Sequence, residues 1–208
     1  MIRQPTTESF PKDVEKHQMT VLLDQGVHRH IRFEKPGSSN MWFALTTWPE
    51  YLTISGDMGT WSFSHVEDMF DFFRSRPGQF YINPQYWEEK LQVGRYDGRS
   101  HARVFDPDKF KSEIFEQLSR HYDLEGDDLE RVKLELEDEV FCDDQSETIR
   151  AAKEFYLDLD SGERFELDSY ELPDGEVYSY HFLWCLYAIV WGIQQWDEKY
   201  ATIPTASI

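Results

Sequence analysis

The chain predicts an α+β fold: an N-terminal antiparallel sheet with packed helices, then a mostly helical, acidic C-terminal half. Three observations carry that expectation. Short β-branched and aromatic runs separated by turn residues crowd into the first third. Apolar residues at helical spacing follow them. The excess negative charge lies almost wholly beyond residue 107. The 208 residues hold 21 Lys and Arg against 40 Asp and Glu, a formal charge of −19, with 40% hydrophobic and 16% aromatic residues. That is too apolar for disorder, because enough surface can be buried to offset the entropy of ordering. The length suits two small regions, 1–106 rich in β and 107–208 acidic and helical, or a single compact domain.

The first strands are expected over 17–23, 27–33, 41–48 and 51–54, divided by Asp24-Gln25-Gly26, by Pro36-Gly37-Ser38-Ser39-Asn40 and by Trp48-Pro49. Ser55-Gly56-Asp57-Met58-Gly59 reads as a tight turn into a fifth strand, 60–63, and sequential spacing of this kind suits a meander. Ser64 with Glu67 forms a capping box ahead of Val66, Met69, Phe70 and Phe73, which predicts a helix closed by Pro77-Gly78. A short helix follows Pro84, and 94–103 is a polar, locally basic loop. Asp106-Pro107-Asp108 opens a helix over 108–121, since Pro107 brings a φ already suited to the first turn. Residues 127–139 have a mixed period: Val132 to Val140, VKLELEDEV, fits a helix or an edge strand. Helices are expected again over 147–156 and 178–200, the last one aromatic and apolar nearly all round, hence buried.

Charge narrows the function. Residues 108–176 hold 24 acids and 8 bases, whereas 1–107 hold 14 and 12. A chain of this sign does not track a nucleic-acid backbone or an anionic membrane, both of which require positive charge. The apolar run Phe182 to Ile193 has twelve residues, short of the roughly 20 that a bilayer span needs. Cys142 and Cys185 form no disulfide framework, and the N-terminus lacks a basic region followed by an apolar one. A reducing, cytoplasmic compartment is expected.

Between Asp123 and Glu147 stand twelve carboxylates, with only Arg131 and Lys133 opposing them. Acids on a solvated helix, rising about 1.5 Å per residue, approximate the charge density of duplex DNA, about one charge per 1.7 Å. Such a surface can occupy the basic groove of a nucleic-acid-binding protein; a plainly solvated acidic face accounts for the same run. The stretches Asp123–Asp128 and Asp158–Glu163 resemble calcium loops but miss the required ligand order. His28 and His30 fall on one face of a strand, a geometry used by transition-metal sites, with Asp57, His65 and His101 as further donors. Asp57 at a sharp turn suits a general base or ligand, or simply an Asx turn. No nucleophile elbow, phosphate loop or H-E-x-x-H is present.

Trp48, Pro49, Leu52, Ile54, Ser55, Gly56, Asp57, Met58, Gly59, Trp61 and Phe63 fill the string W-P-x-x-L-x-I-S-G-D-M-G-x-W-x-F, and Asp68 to Phe73 add D-M-F-x-F-F. These strings, about an eighth of the chain, resemble a set of small accessory proteins carried by bacteriophages and prophages, to which no chemistry is assigned. The resemblance implies a viral protein acting in the cytoplasm of a bacterial host. By analogy of class it implies an inhibitor of host defence, such as an anti-CRISPR or anti-restriction protein that mimics DNA. The expectation is therefore an acidic inhibitor that docks on a host nucleic-acid-binding protein or CRISPR effector through Asp127, Asp128, Glu130, Glu135, Glu137, Asp138, Glu139, Asp143 and Asp144. No cofactor, direct nucleic-acid contact or membrane is invoked. Two other readings stay open: a small metal-dependent hydrolase using His28, His30 and Asp57, and a dimeric structural or assembly protein.

Overall fold

The computed structural model describes residues 4–76, 78–93, 95–96, 99–100, 102–122, 124 and 126–201. In chain order the elements are α1 (Phe10–Val14), β1 (Gln18–Gln25), β2 (His28–Glu34), β3 (Phe43–Trp48), β4 (Tyr51–Gly56), β5 (Trp61–Ser64), α2 (Met69–Phe73), α3 (Pro84–Glu88), β6 (Leu91–Val93), β7 (Arg95–Tyr96), β8 (Arg99–Ser100) and β9 (Arg103–Phe105). Then follow α4 (Pro107–His121), α5 (Gly126–Glu139), α6 (Gln145–Glu154), β10 (Tyr156–Asp158), β11 (Arg164–Glu166), β12 (Glu176–Tyr178) and α7 (Tyr180–Ala201). The α+β expectation holds: an N-terminal antiparallel sheet precedes a mostly helical region.

The chain divides into two compact units, one of residues 4–102 with 178–201 and one of 103–177. The second is thus an insertion within the first. The division departs from regions 1–106 and 107–208 in two respects: residues 103–106 join the acidic unit, and the aromatic helix α7, expected with the acidic half, belongs to the sheet unit. A helix apolar nearly all round needs a broad apolar surface to cover it, and the sheet supplies one.

In the sheet unit β1 to β6 form one six-stranded antiparallel sheet in sequential order. Alternation sends Ile31 and Phe33 of β2, Phe43 and Leu45 of β3, Leu52 and Ile54 of β4, and Trp61 and Phe63 of β5 into the core. Register stacks Ile31, Leu45, Ile54 and Trp61 in one row. Across them lies α7. Its Trp184 meets Phe43 edge-on at 5.8 Å between ring centroids, its Trp191 meets Phe33 at 5.5 Å, and its Phe182 meets Trp61 at 5.9 Å. Gly192 lets the helix lie close: a Cβ there would come 2.9 Å from Leu45 and 3.2 Å from Phe33. Gly56 has a similar role at the end of β4, where a Cβ would sit 2.2 Å from the Trp42 carbonyl oxygen.

The expected capping box is corrected. Ser64 ends β5, its N–H bonded to the Lys90 carbonyl, and the helix starts later with Asp68 as N-cap, accepting from the Phe70 N–H at 3.0 Å. Val66, expected on its apolar face, is exposed. The helix also ends at Phe73, ahead of Pro77-Gly78. Asp68 wins because Arg29 of β2 anchors its carboxylate, a long-range contact that Ser64 lacks. The loop expected at 94–103 contains β7 paired with β8, although residues 94, 97, 98 and 101 lie outside the described set.

In the inserted unit α4, α5 and α6 gather around Phe110, Ile114, Leu118, Val132, Leu136 and Val140, with the hairpin β10–β11 adding Phe165. The starts of α4 and α6 have local causes. Asp106 caps α4 by accepting from the N–H groups of Asp108 and Lys109, with Pro107 in the first turn. Asp144 caps α6 through the Glu147 N–H at 2.8 Å. The ambiguous 132–140 segment is mostly helix: Leu129, Val132, Leu136 and Val140 share one side and pack inward, whereas Leu134, which a strand would have placed with Val132 and Leu136, is 68% exposed. Among the described residues no helix is long and apolar enough to cross a membrane.

Candidate functional site

The insertion coincides with the charge. Residues 103–177 contain 25 acids and 9 bases, leaving 15 and 12 for the rest of the chain. One folded unit therefore carries −16 of the −19, and the sheet unit is close to neutral. The excess charge is thus confined to one of the two units.

Seven of the nine expected partner-binding carboxylates lie on α5. With about 100° between successive residues, Asp127, Glu130, Glu137 and Asp138 fall opposite the buried Val132 and Leu136, while Asp128, Glu135 and Glu139 lie along one flank. They wrap the exposed half of the helix, with Leu134 in its middle. Some of that charge is compensated. Lys133 pairs with Glu130 at 2.9 Å, Lys111 with Glu137, and Arg131 reaches Asp160 at 3.0 Å. Asp127, Asp128, Glu135, Asp138 and Glu139 have no basic side chain within ion-pair distance among the described residues. Asp143 is exposed in the turn after α5, and Asp144 is engaged as the α6 cap. An aromatic side chain also stands out on this unit: Tyr170 is 97% exposed, on a turn held by its own N–H to Asp168 Oδ1.

Among the described residues neither calcium-like stretch gathers three carboxylates as a metal site. Residues 123 and 125 lie outside the described set, and 126–128 begin α5. In the other stretch Asp158 accepts from Arg164 across the β10–β11 turn, and Asp160 accepts from Arg131 of α5.

His28 and His30 do share a face of β2, the one opposite Ile31, but Asp57 is remote from them. Register places His28 beyond the Arg29–Thr47 pair and Asp57 beyond the Phe43–Gly56 pair, about six residues along β3, or roughly 20 Å. His30 Nδ1 lies 2.8 Å from Thr46 Oγ1, in a polar row with Thr53 and Ser62. Asp57 Oδ2 accepts the Met41 N–H at 2.8 Å, and its own N–H reaches the Trp42 carbonyl. It ties the turn after β4 to the stretch ahead of β3, a bond across sixteen positions and not the local Asx bond expected of it. His65 Nε2 is 3.2 Å from the Tyr86 hydroxyl, and His101 lies outside the described residues. No three His, Cys, Asp or Glu side chains come together as a metal site among the described residues. Of the cysteines, Cys185 is buried against the Met58 carbonyl, and burial pushes its thiol pKa well up. Cys142 Sγ lies 3.2 Å from Thr148 Oγ1.

The sheet unit holds a site that the sequence reading missed. A cleft of about 750 Å³ opens between the stretch 65–68, α2, the 74–83 loop and α3. Phe72 and Trp87 line it, with His65, Tyr81, Tyr86, Arg76, Gln79 and Asn83 around them. One side is pinned by Arg29, whose Nη1 and Nη2 each donate at 2.8 Å to the Asp68 carboxylate, while the guanidinium lies 4.5 Å from the Phe70 ring centroid. Burial alone raises the Asp68 pKa, but the hydrogen bonds from Arg29 and the Phe70 N–H, with the charges of Arg29 and Arg74, outweigh it and hold the carboxyl below its ordinary value. Arg74 is gripped by Asp197 of α7 and by Asp71; the Asp197 hydrogen bond, opposed by desolvation, leads in raising its pKa. The available signal was the density of aromatic, amide and proline residues in RSRPGQFYINPQYW.

Compared with models of known families, with curated proteins and with solved structures, the chain matches none.

Proposed function

We propose that this is a phage-encoded acidic inhibitor of a host defence complex, such as a CRISPR effector or a restriction enzyme, acting in the cytoplasm of a bacterial host. Its inserted unit would occupy a basic nucleic-acid-binding surface of the target by charge mimicry. The observation that supports this most is the confinement of −16 charges to the folded insertion 103–177. Concentrating like charges destabilises a fold by self-repulsion, and complementary binding to a basic partner offsets that cost. The exposed carboxylates of α5 supply the contact, with Asp127 and Asp138 free of ion pairs among the described residues. The exposed Leu134 gives the same helix an apolar centre, the usual anatomy of a docking surface.

Affinity capture from a bacterial lysate, followed by identification of the bound protein, tests the reading. The expected catch is a nucleic-acid-handling protein whose retention falls steeply with added salt and whose nucleic-acid binding is competed by this chain. Reversing Glu135, Glu137, Asp138 and Glu139 to Lys is expected to abolish retention. Retention unchanged by the reversal, or recovery of no nucleic-acid-handling protein, defeats the reading.

A further inference from the structure

The cleft beside α2 and α3 belongs to the near-neutral sheet unit. Three of that unit's exposed apolar side chains, Val66, Tyr81 and Tyr86, converge on it. Scattered singly they would need no explanation; gathered in one concavity, they do. Most charges along the cleft are neutralised in place, Asp68 by Arg29 and Asp71 by Arg74. Two lining groups are left over. Arg76 has no carboxylate, and Glu67 no cation, within ion-pair distance among the described residues. The Asn83 amide oxygen is taken by the Tyr86 N–H, which leaves its NH₂ to donate, and Gln79 adds a second amide on the same loop.

These groups have counterparts in one ligand class. A flat base stacks on aromatic side chains whatever its identity. A guanidinium fork takes a phosphate bidentately. A carboxylate accepts from ribose hydroxyls, as it does in dinucleotide sites. The volume of about 750 Å³ lies in the range of small-molecule sites. We propose that this cleft binds a free mononucleotide, its base against Tyr81 and Tyr86, its phosphate on Arg76 and its ribose on Glu67. A nucleic-acid strand is the poorer occupant, because a polyphosphate approaching a chain of −19 meets repulsion that one phosphate largely escapes.

Isothermal titration of the full chain with AMP, adenosine, inorganic phosphate and a short single-stranded oligonucleotide is the test. Saturable AMP binding is expected, with adenosine weaker and phosphate alone silent at the same concentrations. Arg76→Ala is expected to lower AMP affinity about tenfold, the scale of a lost charged hydrogen bond, and to leave adenosine unchanged. Tyr81→Ala weakens both. Both side chains are exposed, so the circular dichroism of each variant should match that of the parent. Absence of saturable AMP binding at millimolar concentration, AMP affinity unmoved in both variants, or an oligonucleotide bound more tightly than AMP overturns the proposal.

Discussion

The sheet unit and the inserted unit handle charge and core in opposite ways. The sheet unit gathers Trp, Phe and Tyr side chains between β2–β5 and α7, and its best ion pair is enclosed: the Arg29 and Asp68 side chains are 11% and 23% exposed. The inserted unit has a thinner core of Phe110, Ile114, Leu118, Val132, Leu136 and a few neighbours, and its ion pairs lie outside, Arg150–Glu154 at 66% exposure for both partners. Exposed pairs contribute little, so the insertion is held together mainly by its small core, its caps and hydrogen bonds. The excess charge is thus carried by the unit with the smaller core, and burial is concentrated in the sheet unit.

The largest expected contrast is in the cores. Trp184→Ala removes a fully buried ring and its hydrogen bond to Asp13, and is expected to cost about 3–5 kcal/mol. Leu134→Ala on the outer side of α5 is expected to change stability by no more than about 0.5 kcal/mol. Urea unfolding of both variants checks this, and a core-sized loss for Leu134→Ala would break the helical assignment of its surroundings. Next comes the enclosed pair. Asp68→Asn keeps a helix cap but leaves Arg29 without its carboxylate, an expected loss of about 1–3 kcal/mol at neutral pH. The Asp68 pKa is lowered in the folded state, so its contribution is present above the unfolded value and is lost as pH falls through the folded one. The gap between variant and parent therefore closes in the acid range below about pH 4; a gap constant down to pH 2 would remove the charge from the account. The smallest effect is salt. Raising sodium chloride from about 20 to about 500 mM shortens the screening length severalfold and is expected to increase amide protection in α5 while leaving β2–β5 unchanged. An equal gain in both units would erase the electrostatic difference between them.

Much of this architecture was legible because its causes are local. The strands declared themselves by β-branched and aromatic runs between turns, the His28/His30 pairing by a two-residue period, and the start of α4 by Asp106-Pro107. The segment around Leu134 was ambiguous because alternation and helical spacing overlap in VKLELEDEV; only packing of Val132, Leu136 and Val140 on α4 and its neighbours separates them. The start of α2 was misplaced because Asp68 is selected by Arg29, 39 residues earlier. The cleft beside α2 and α3 was not legible because concavity is a property of how α2, the 74–83 loop and α3 are set against one another.

By itself, then, the sequence determined the α+β class, the burial of the aromatic C-terminal helix and the placement of nearly all excess charge in one stretch, since composition and short-range periodicity express local chemistry directly. The tertiary structure decided that this stretch is an insertion, that α7 returns to cover the first sheet, which carboxylates on α5 face outward, and that a cleft opens between 65 and 87. Those depend on contacts between residues far apart in the chain, such as Trp184 with Asp13 across 171 positions, whose energies exist only once the chain has folded.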